Sequence, residues 1–176
     1  MLGKVHCVVA SCLSLSLLSG HAWSQGQGRV DVRGAVIETA CAIDTESRDQ
    51  AIEMATLPVG QLIRDGRGLD RPFSIKLIGC SLSRPSETLP PWRSFQVTFD
   101  GRADNGLFGV EGDVEGVALQ ISDSLGNIAR PGAPLPEGEV VPGAMRLNYS
   151  MALVGNGSSL RAGSYHSSIR FKVDYY

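Results

Sequence analysis

Alternation between apolar and polar residues is the strongest pattern in this sequence, and it is most regular at the end of the chain. From Tyr165 to Tyr176 the odd-numbered positions are mostly apolar or aromatic, and the even-numbered positions are mostly polar. Successive side chains of a β-strand point to opposite faces, so this stretch predicts a strand with one buried face. Chain ends usually fray unless they are held, so this end is expected to belong to a core or an interface.

Shorter alternating segments recur along the rest of the chain. Glycine, proline and asparagine separate them, and no stretch longer than a turn or two has helical periodicity. Strands are predicted at 30–37, 52–59 (broken near Pro58), 73–77, 95–99, 117–121, 147–153 and 163–176. The glycine-containing stretch 64–71 and the proline-rich stretch 81–93 predict connections, since proline cannot donate to a strand ladder. This spacing of short strands predicts an all-β sandwich of immunoglobulin type.

The first 24 residues predict a signal peptide. Lys4 is their only charged residue, and the apolar run 8–18 is too short to span a bilayer. Small residues flank Trp23 at the two positions that a signal peptidase recognises, which predicts cleavage before Gln25. The remaining residues, 25–176, are enough for one domain with its own core.

Charge and cysteine content narrow the function classes. The net charge is −2 and both signs are scattered, so nucleic-acid binding is not expected. Cys41 and Cys80 are the two cysteines that follow the signal peptide, and an even pair in an exported protein predicts one disulfide. Closing a loop of that length stabilises the fold by about 4 kcal/mol on the chain-entropy model. With His166 as the one remaining histidine, a structural zinc site is not expected. The sequence predicts no cofactor.

Several segments together resemble the pilin subunits of chaperone–usher fimbriae of Gram-negative bacteria. The resemblance covers nearly the whole chain after the signal peptide. It is carried by the alternating segment before Cys41, by Cys80, by a glycine fourteen residues from the C-terminus (Gly163) and by a penultimate tyrosine (Tyr175). Two further matching segments are Val97-Thr98-Phe99-Asp100-Gly101 and Gly116-Val117-Ala118-Leu119-Gln120-Ile121.

The resemblance implies an incomplete immunoglobulin-like sandwich at residues 40–176, preceded by an N-terminal donor-strand extension at residues 25–39. A strand from a companion protein would complete the sandwich, as in the strand addition known for chaperone–pilin complexes. The implied donor residues are Val30, Val32, Gly34 and Val36. The implied residues of the acceptor groove and chaperone contact are Gly163, Ile169, Phe171, Val173, Tyr175 and Tyr176.

The same resemblance implies the partners and the location. A periplasmic pilus chaperone, an outer-membrane usher and neighbouring pilin subunits are expected, without a small-molecule substrate. The protein would be secreted through the periplasm and end in a fimbrium at the cell surface.

Within the family, the segments 126–130 and 171–175 resemble most the minor subunit that terminates and anchors P-type pili. The extension is shorter here than in that subunit, so an ordinary shaft or adaptor pilin is the alternative. An alternative of another class is a small periplasmic carbohydrate-binding domain of the adhesin type. Tip adhesins carry an additional lectin domain, for which 25–176 leaves no room, and an aromatic content of 6% does not favour a sugar-binding platform.

A few residues are candidates for other chemistry. His166, the carboxylate pair Asp113 and Glu115, and Trp92 as a sugar-stacking residue are all better explained as ordinary strand or surface residues. The basic patch of Arg64, Arg67 and Arg71 is best explained as a solvated loop. No nucleophile elbow, phosphate-binding loop or metalloprotease motif is found, so the sequence does not predict an enzyme.

Overall fold

The computed structural model describes residues 28–34, 38–86 and 88–176. The chain divides into two units, residues 1–36 and residues 37–176. In the first unit, residues 28–34 form no helix or strand, and the side chains of Val30 and Val32 are 87% and 89% exposed. The strand predicted over 30–37 is therefore wrong for residues 30–34, because an isolated strand has no backbone partners. Val36 and the predicted signal peptide lie outside the described residues.

The second unit consists mainly of β-strands. The strands are β1 (Ala42–Ile43), β2 (Arg71–Cys80), β3 (Ser94–Asp100), β4 (Ala103–Asp104), β5 (Leu107–Gly109), β6 (Glu111–Gly112), β7 (Val117–Asp123), β8 (Gly138–Glu139), β9 (Gly143–Gly155), β10 (Tyr165–His166) and β11 (Arg170–Tyr175). The two short helices are α1 (Thr45–Arg48) and α2 (Val59–Asp65). None of the helices in the described ranges has the length and apolar content needed to cross a membrane.

Within the described residues, all strand pairings are antiparallel and form three sheets. The largest sheet has the order β1-β2-β9-β7-β5-β4, and the second has the order β11-β3-β8. The third is a two-stranded ribbon of β10 and β6. The immunoglobulin-like, all-β architecture predicted from the alternating segments is confirmed.

The core lies between the two larger sheets and is built from the inward rows of their strands. In the largest sheet, Ile75 pairs with Leu147 and Phe73 pairs with Tyr149. The ring of Tyr149 stacks on Phe73 at 5.4 Å and meets the edge of Phe99, from the second sheet, at 5.0 Å. These aromatic contacts join the sheets, and edge-to-face pairs of this kind add stability beyond the area they bury.

A disulfide between Cys41 and Cys80 holds the beginning of the domain to the end of β2. Its Cα atoms are 4.1 Å apart and both cysteines are buried. The register of β2 against β9 shifts between Leu77 and Cys80, where Gly79 has a φ of +60°. Glycine adopts this conformation without strain, so the extra residue is accommodated as a bulge just before the disulfide. The disulfide expected from the sequence is confirmed.

Two other predicted strands differ from the structure. The segment 52–58 forms no strand, and it is followed by α2, which ends where Gly66 adopts a φ of +71° and donates its N–H to the Leu62 carbonyl. The predicted strand at 163–176 is interrupted at 167–169, between β10 and β11. Alternation reports which face a residue occupies, but a strand also needs a neighbour for its backbone.

Candidate strand-acceptor groove

The last strand, β11, is paired along one edge only. Its residues pair with β3 from Arg170 opposite Asp100 to Tyr175 opposite Phe95. No residue in the described part of the chain pairs with its other edge. In a strand, alternate N–H and C=O groups point to opposite edges, so half of the β11 backbone groups face an unfilled position.

The apolar row of β11 is only half covered. Phe171, Val173 and Tyr175 pack against the core yet remain half-buried. By contrast, the residues of β3 that pair with Phe171 and Val173 are fully buried: Phe99 and Val97 are each 2% exposed. The inward side chains of the two strands point to the same core, so the difference reflects missing cover beside β11.

A groove with a volume of about 730 Å³ reaches the start of β11, where Ile169 lines it. One wall is the segment 50–57 and the other is the segment 160–169. The floor is apolar and is formed by inward-facing residues of β7 and β9, namely Val117, Leu119, Met151 and Leu153. An apolar floor between two backbone walls has the shape and chemistry to take an extended peptide whose alternate side chains are apolar.

The wall at 160–169 is held from behind by the segment 111–116. Tyr165 pairs with Gly112, and Glu115 forms a bridge with Arg161. A Cβ atom on Gly163 would lie 2.5 Å from the backbone of Asp113 and Val114, so only glycine fits there. Of the residues predicted for the acceptor groove, Gly163 and Ile169 line it, whereas Phe171, Val173, Tyr175 and Tyr176 are not among its lining residues.

The wall at 50–57 has no strand partner. Within the described ranges, the backbone of residues 51–57 makes no hydrogen bond to another segment. Ile52, Met54 and Leu57 are half-buried and pack against the core. This wall therefore offers unpaired N–H and C=O groups of its own, and a strand laid in the groove has backbone groups to pair with on either side.

The C-terminal residue is held in place. The Tyr176 N–H donates to the Ser94 carbonyl at 2.9 Å, and the Tyr176 O atom accepts from the N–H groups of Arg93 at 2.7 Å and Ser94 at 3.1 Å. Its side chain is exposed. These three hydrogen bonds explain why a chain end, which ordinarily frays, keeps strand geometry here.

Two tyrosines, Tyr165 in the wall of the groove and Tyr175 on β11, have buried hydroxyl groups without a hydrogen-bond partner among the described residues. Burial raises the pKa of both phenols above the usual value. At Tyr175 the neighbouring Thr39 hydroxyl has a smaller, opposite effect on the pKa. Both phenols are therefore expected to keep their protons to a higher pH than a free tyrosine.

The other candidate residues occupy ordinary positions. His166 lies on the exposed side of β10, 3.5 Å from a Glu111 carboxylate oxygen. Trp92 is buried under Arg84 and offers no open face to a sugar. Arg64 and Arg67 form ion pairs with Asp65 and Asp70. The described residues contain no group of three or more side chains arranged to hold a metal.

Three of the residues predicted to form the donor strand, Val30, Val32 and Gly34, lie in the first unit and belong to the exposed stretch 28–34. The sequence did not reveal the wall at 50–57 or the pairing of 161–166 with 111–116. The sequence contains one indication of that pairing, a set of glycines at positions where a Cβ atom would collide with the facing backbone: Gly112, Gly116 and Gly163.

No protein-family model matches the chain. The chain is 35% identical over 157 residues to the PRS fimbrial minor pilin protein of Escherichia coli, which covers 88% of this chain and 80% of that protein. It belongs to the fimbrial pilins. This pilin is also 30% identical to the Fimbria A protein of Serratia marcescens, over 99% of this chain and 98% of that protein.

A solved structure agrees with the assignment of the fold. The P pilus rod subunit PapA superposes with a TM-score of 0.68 and 17% identity, over 78% of this chain and all of that one. As a fimbrial pilin, the protein is a structural subunit that is secreted through the periplasm and assembled with other pilin subunits in a surface fimbrium.

Proposed function

We propose that this pilin is assembled by donor-strand exchange, accepting a strand between residues 50–57 and β11 and donating its own residues 25–39 to a neighbour. The observation that carries the proposal is the unpaired edge of β11, together with an apolar groove that reaches Ile169, the residue before this strand. An unpaired edge with an apolar trough promotes aggregation, and an added strand removes both liabilities. Before docking, a periplasmic chaperone would fill the same groove and contact the terminal carboxylate of Tyr176, and an outer-membrane usher would exchange the chaperone for a pilin.

The energy available is sufficient for a long-lived junction. Side chains such as Val30, Val32 and Val36 would each gain about 1.5–3 kcal/mol on full burial. With new backbone pairing, the gross stabilisation is on the order of 10 kcal/mol before the entropy of ordering is subtracted. Gly34 in this row lets the donor backbone approach closely where a larger side chain would be obstructed.

Donation is tested with the substitution Gly34→Leu. This variant should lose most of its dissociation-resistant complex with the next subunit, measured by electrophoresis without heating. Arg33→Leu is the matched control, because it places similar bulk on the opposite face of the same strand. Equal loss in both variants, or in neither, would contradict the proposed donor row.

Within the fimbria, we propose that the chain is a minor subunit that terminates and anchors the fibre. The support is its 35% identity to the PRS minor pilin over most of both chains. An ordinary shaft or adaptor pilin is the second candidate, and the groove that runs open between 50–57 and 160–169 favours it.

The two roles differ in whether the groove accepts a second subunit. The chaperone-bound protein is mixed with a synthetic peptide of a neighbouring pilin's extension, and release of the chaperone is followed over time. A terminator keeps its chaperone while a rod subunit, run as the control, exchanges it completely. Exchange at the rate of the control would assign the chain to the shaft or adaptor class.

A further inference from the structure

The residues that connect the proposed donor extension to the domain are unusually well anchored. We name residues 38–41 the root. The Ala40 carbonyl accepts a hydrogen bond from the Ser81 N–H at 2.9 Å, and Cys41 is bonded to Cys80. These contacts fix the later half of the root to the end of β2, and leave its first residue, Glu38, to be held by its side chain.

Glu38 is held by an arginine that is itself stacked on a tryptophan. Its Oε1 atom lies 3.3 Å from Nε of Arg84, an ion-pair distance, although this buried Nε makes no hydrogen bond within the described residues. The guanidinium carbon of Arg84 lies 3.4 Å from the centre of the Trp92 ring, which is 7% exposed. Trp92 in turn meets the ring of Tyr175 edge-on at 6.1 Å. A continuous stack therefore joins the first residue of the root to the last strand of the domain.

The Arg84 side chain is more ordered than a surface arginine usually is. Its exposure is 19%, lower than that of any other basic partner in the ion pairs of the described chain. A planar guanidinium lying on a Trp face loses much of its conformational freedom before it meets a carboxylate. The charge of Arg84 is therefore already in place beside the Glu38 carboxylate, whereas an ordinary exposed pair must first order both of its side chains.

We propose that Arg84 is a positioning residue for strand donation, which holds Glu38, the first residue of the root, against the domain. The consequence is a narrower range of angles between this subunit and the one that receives its extension. This inference rests on the proposed function, because it requires residues 25–39 to be the donor. The partner is a second pilin whose groove holds that strand.

The experiment measures the angle between two joined subunits. The protein, spin-labelled at Leu125→Cys on an exposed turn, is joined to the rod subunit of the same fimbria, supplied as its chaperone complex and carrying one label. Pulsed electron resonance then gives the distribution of distances between the labels. Arg84→Ala and Glu38→Gln should broaden that distribution by about twofold or more, because the root loses its side-chain anchor.

Three comparisons make the result specific. Asp70→Asn removes an exposed ion pair elsewhere and should leave the distribution unchanged. Arg84→Lys keeps the charge but loses the planar stack on Trp92. The width of its distance distribution should therefore fall between those of the wild type and Arg84→Ala. The yield of joined subunits should stay within about twofold of the wild type in every variant, since the donor row is intact.

The outcomes separate this inference from the function on which it rests. A wild-type protein that never joins the rod subunit would overturn strand donation itself. Normal joining with identical widths in wild type, Arg84→Ala and Glu38→Gln would overturn the role of Arg84 alone. A fall in the thermal midpoint with unchanged widths would show that Arg84 merely stabilises the fold, which also overturns it.

Discussion

At the scale of single residues, the groove depends on positions where no side chain fits. Gly163 lies against the backbone of Asp113 and Val114, and any Cβ there would press on atoms that cannot rotate away. Gly155, by contrast, has open space around its Cβ position. An added methyl group should therefore be destabilising at Gly163 and tolerated at Gly155.

Gly163→Ala should destabilise the strand-completed domain by about 2 kcal/mol, because the facing backbone must move to relieve the contact. Gly155→Ala is the control and should change stability by less than about 0.5 kcal/mol. Denaturant unfolding of the complex with a donor peptide measures both. Equal stability of the two variants would show that the wall at 160–169 yields readily.

Tyrosine ionisation gives a prediction for alkaline pH. Burial raises the pKa of Tyr149 well above its usual value, with a smaller contribution from Asp123, and burial also raises the pKa values of Tyr165 and Tyr175. The unfolded chain releases these protons at about pH 10, whereas the folded chain retains them. Stability is therefore fully present below about pH 10 and falls as pH rises above it.

The measurement is the denaturant midpoint of the strand-completed domain between about pH 8 and pH 11. Tyr149→Phe should flatten the decline, because it removes the group with the largest shift. An unchanged slope in that variant would mean that Tyr149 ionises equally in the folded and unfolded chains.

At the scale of elements, the sequence predicts strands well where both neighbours are present. β2, β3, β7 and β9 each alternate cleanly and each pairs along both edges. The segment 52–58 alternates too, but forms no strand, because nothing beside it supplies a ladder. Its half-buried side chains still face the core, so the pattern identified the face correctly and the secondary structure wrongly.

For the two walls of the candidate groove, too, alternation predicts which side chains face the core but not how the backbone is paired. The row of β11 was predictable from alternation, because Phe171, Val173 and Tyr175 all face inward. The opposite wall, 50–57, also alternates, but alternation does not show which backbone groups lack a partner, so its place at the edge of a groove was not predictable. β6 and β10 contain two residues each, which is too few for an alternating pattern to be recognised in the sequence.

A donor strand should change hydrogen exchange in two separate elements. Alternate amides of β11 lie on its unpaired edge, and those should exchange as slowly as paired amides once the domain has been refolded together with a donor peptide. Amides in 51–57 should gain protection in the same experiment. β9 is paired on both sides already and serves as the internal control. Protection of β11 alone would place the added strand outside the groove.

At the scale of the whole molecule, the domain is expected to be incomplete when alone. Expressed in the periplasm without a partner, it should aggregate or be degraded, because an apolar groove and unpaired backbone remain open. Co-expression with its chaperone should recover soluble protein, measured as the periplasmic yield. A high yield of monomer without the chaperone would contradict an open groove.

The Cys41–Cys80 bond also has a mechanical consequence. In a fibre under tension, load would arrive through the chain preceding Glu38 and reach the covalent bond after three more residues. The bond delivers it to the end of β2, which is hydrogen-bonded on both sides within the largest sheet. Tension would thus be shared across β1, β2 and β9 rather than peeling the first strand away, and chemical reduction should lower the force at which a single domain extends.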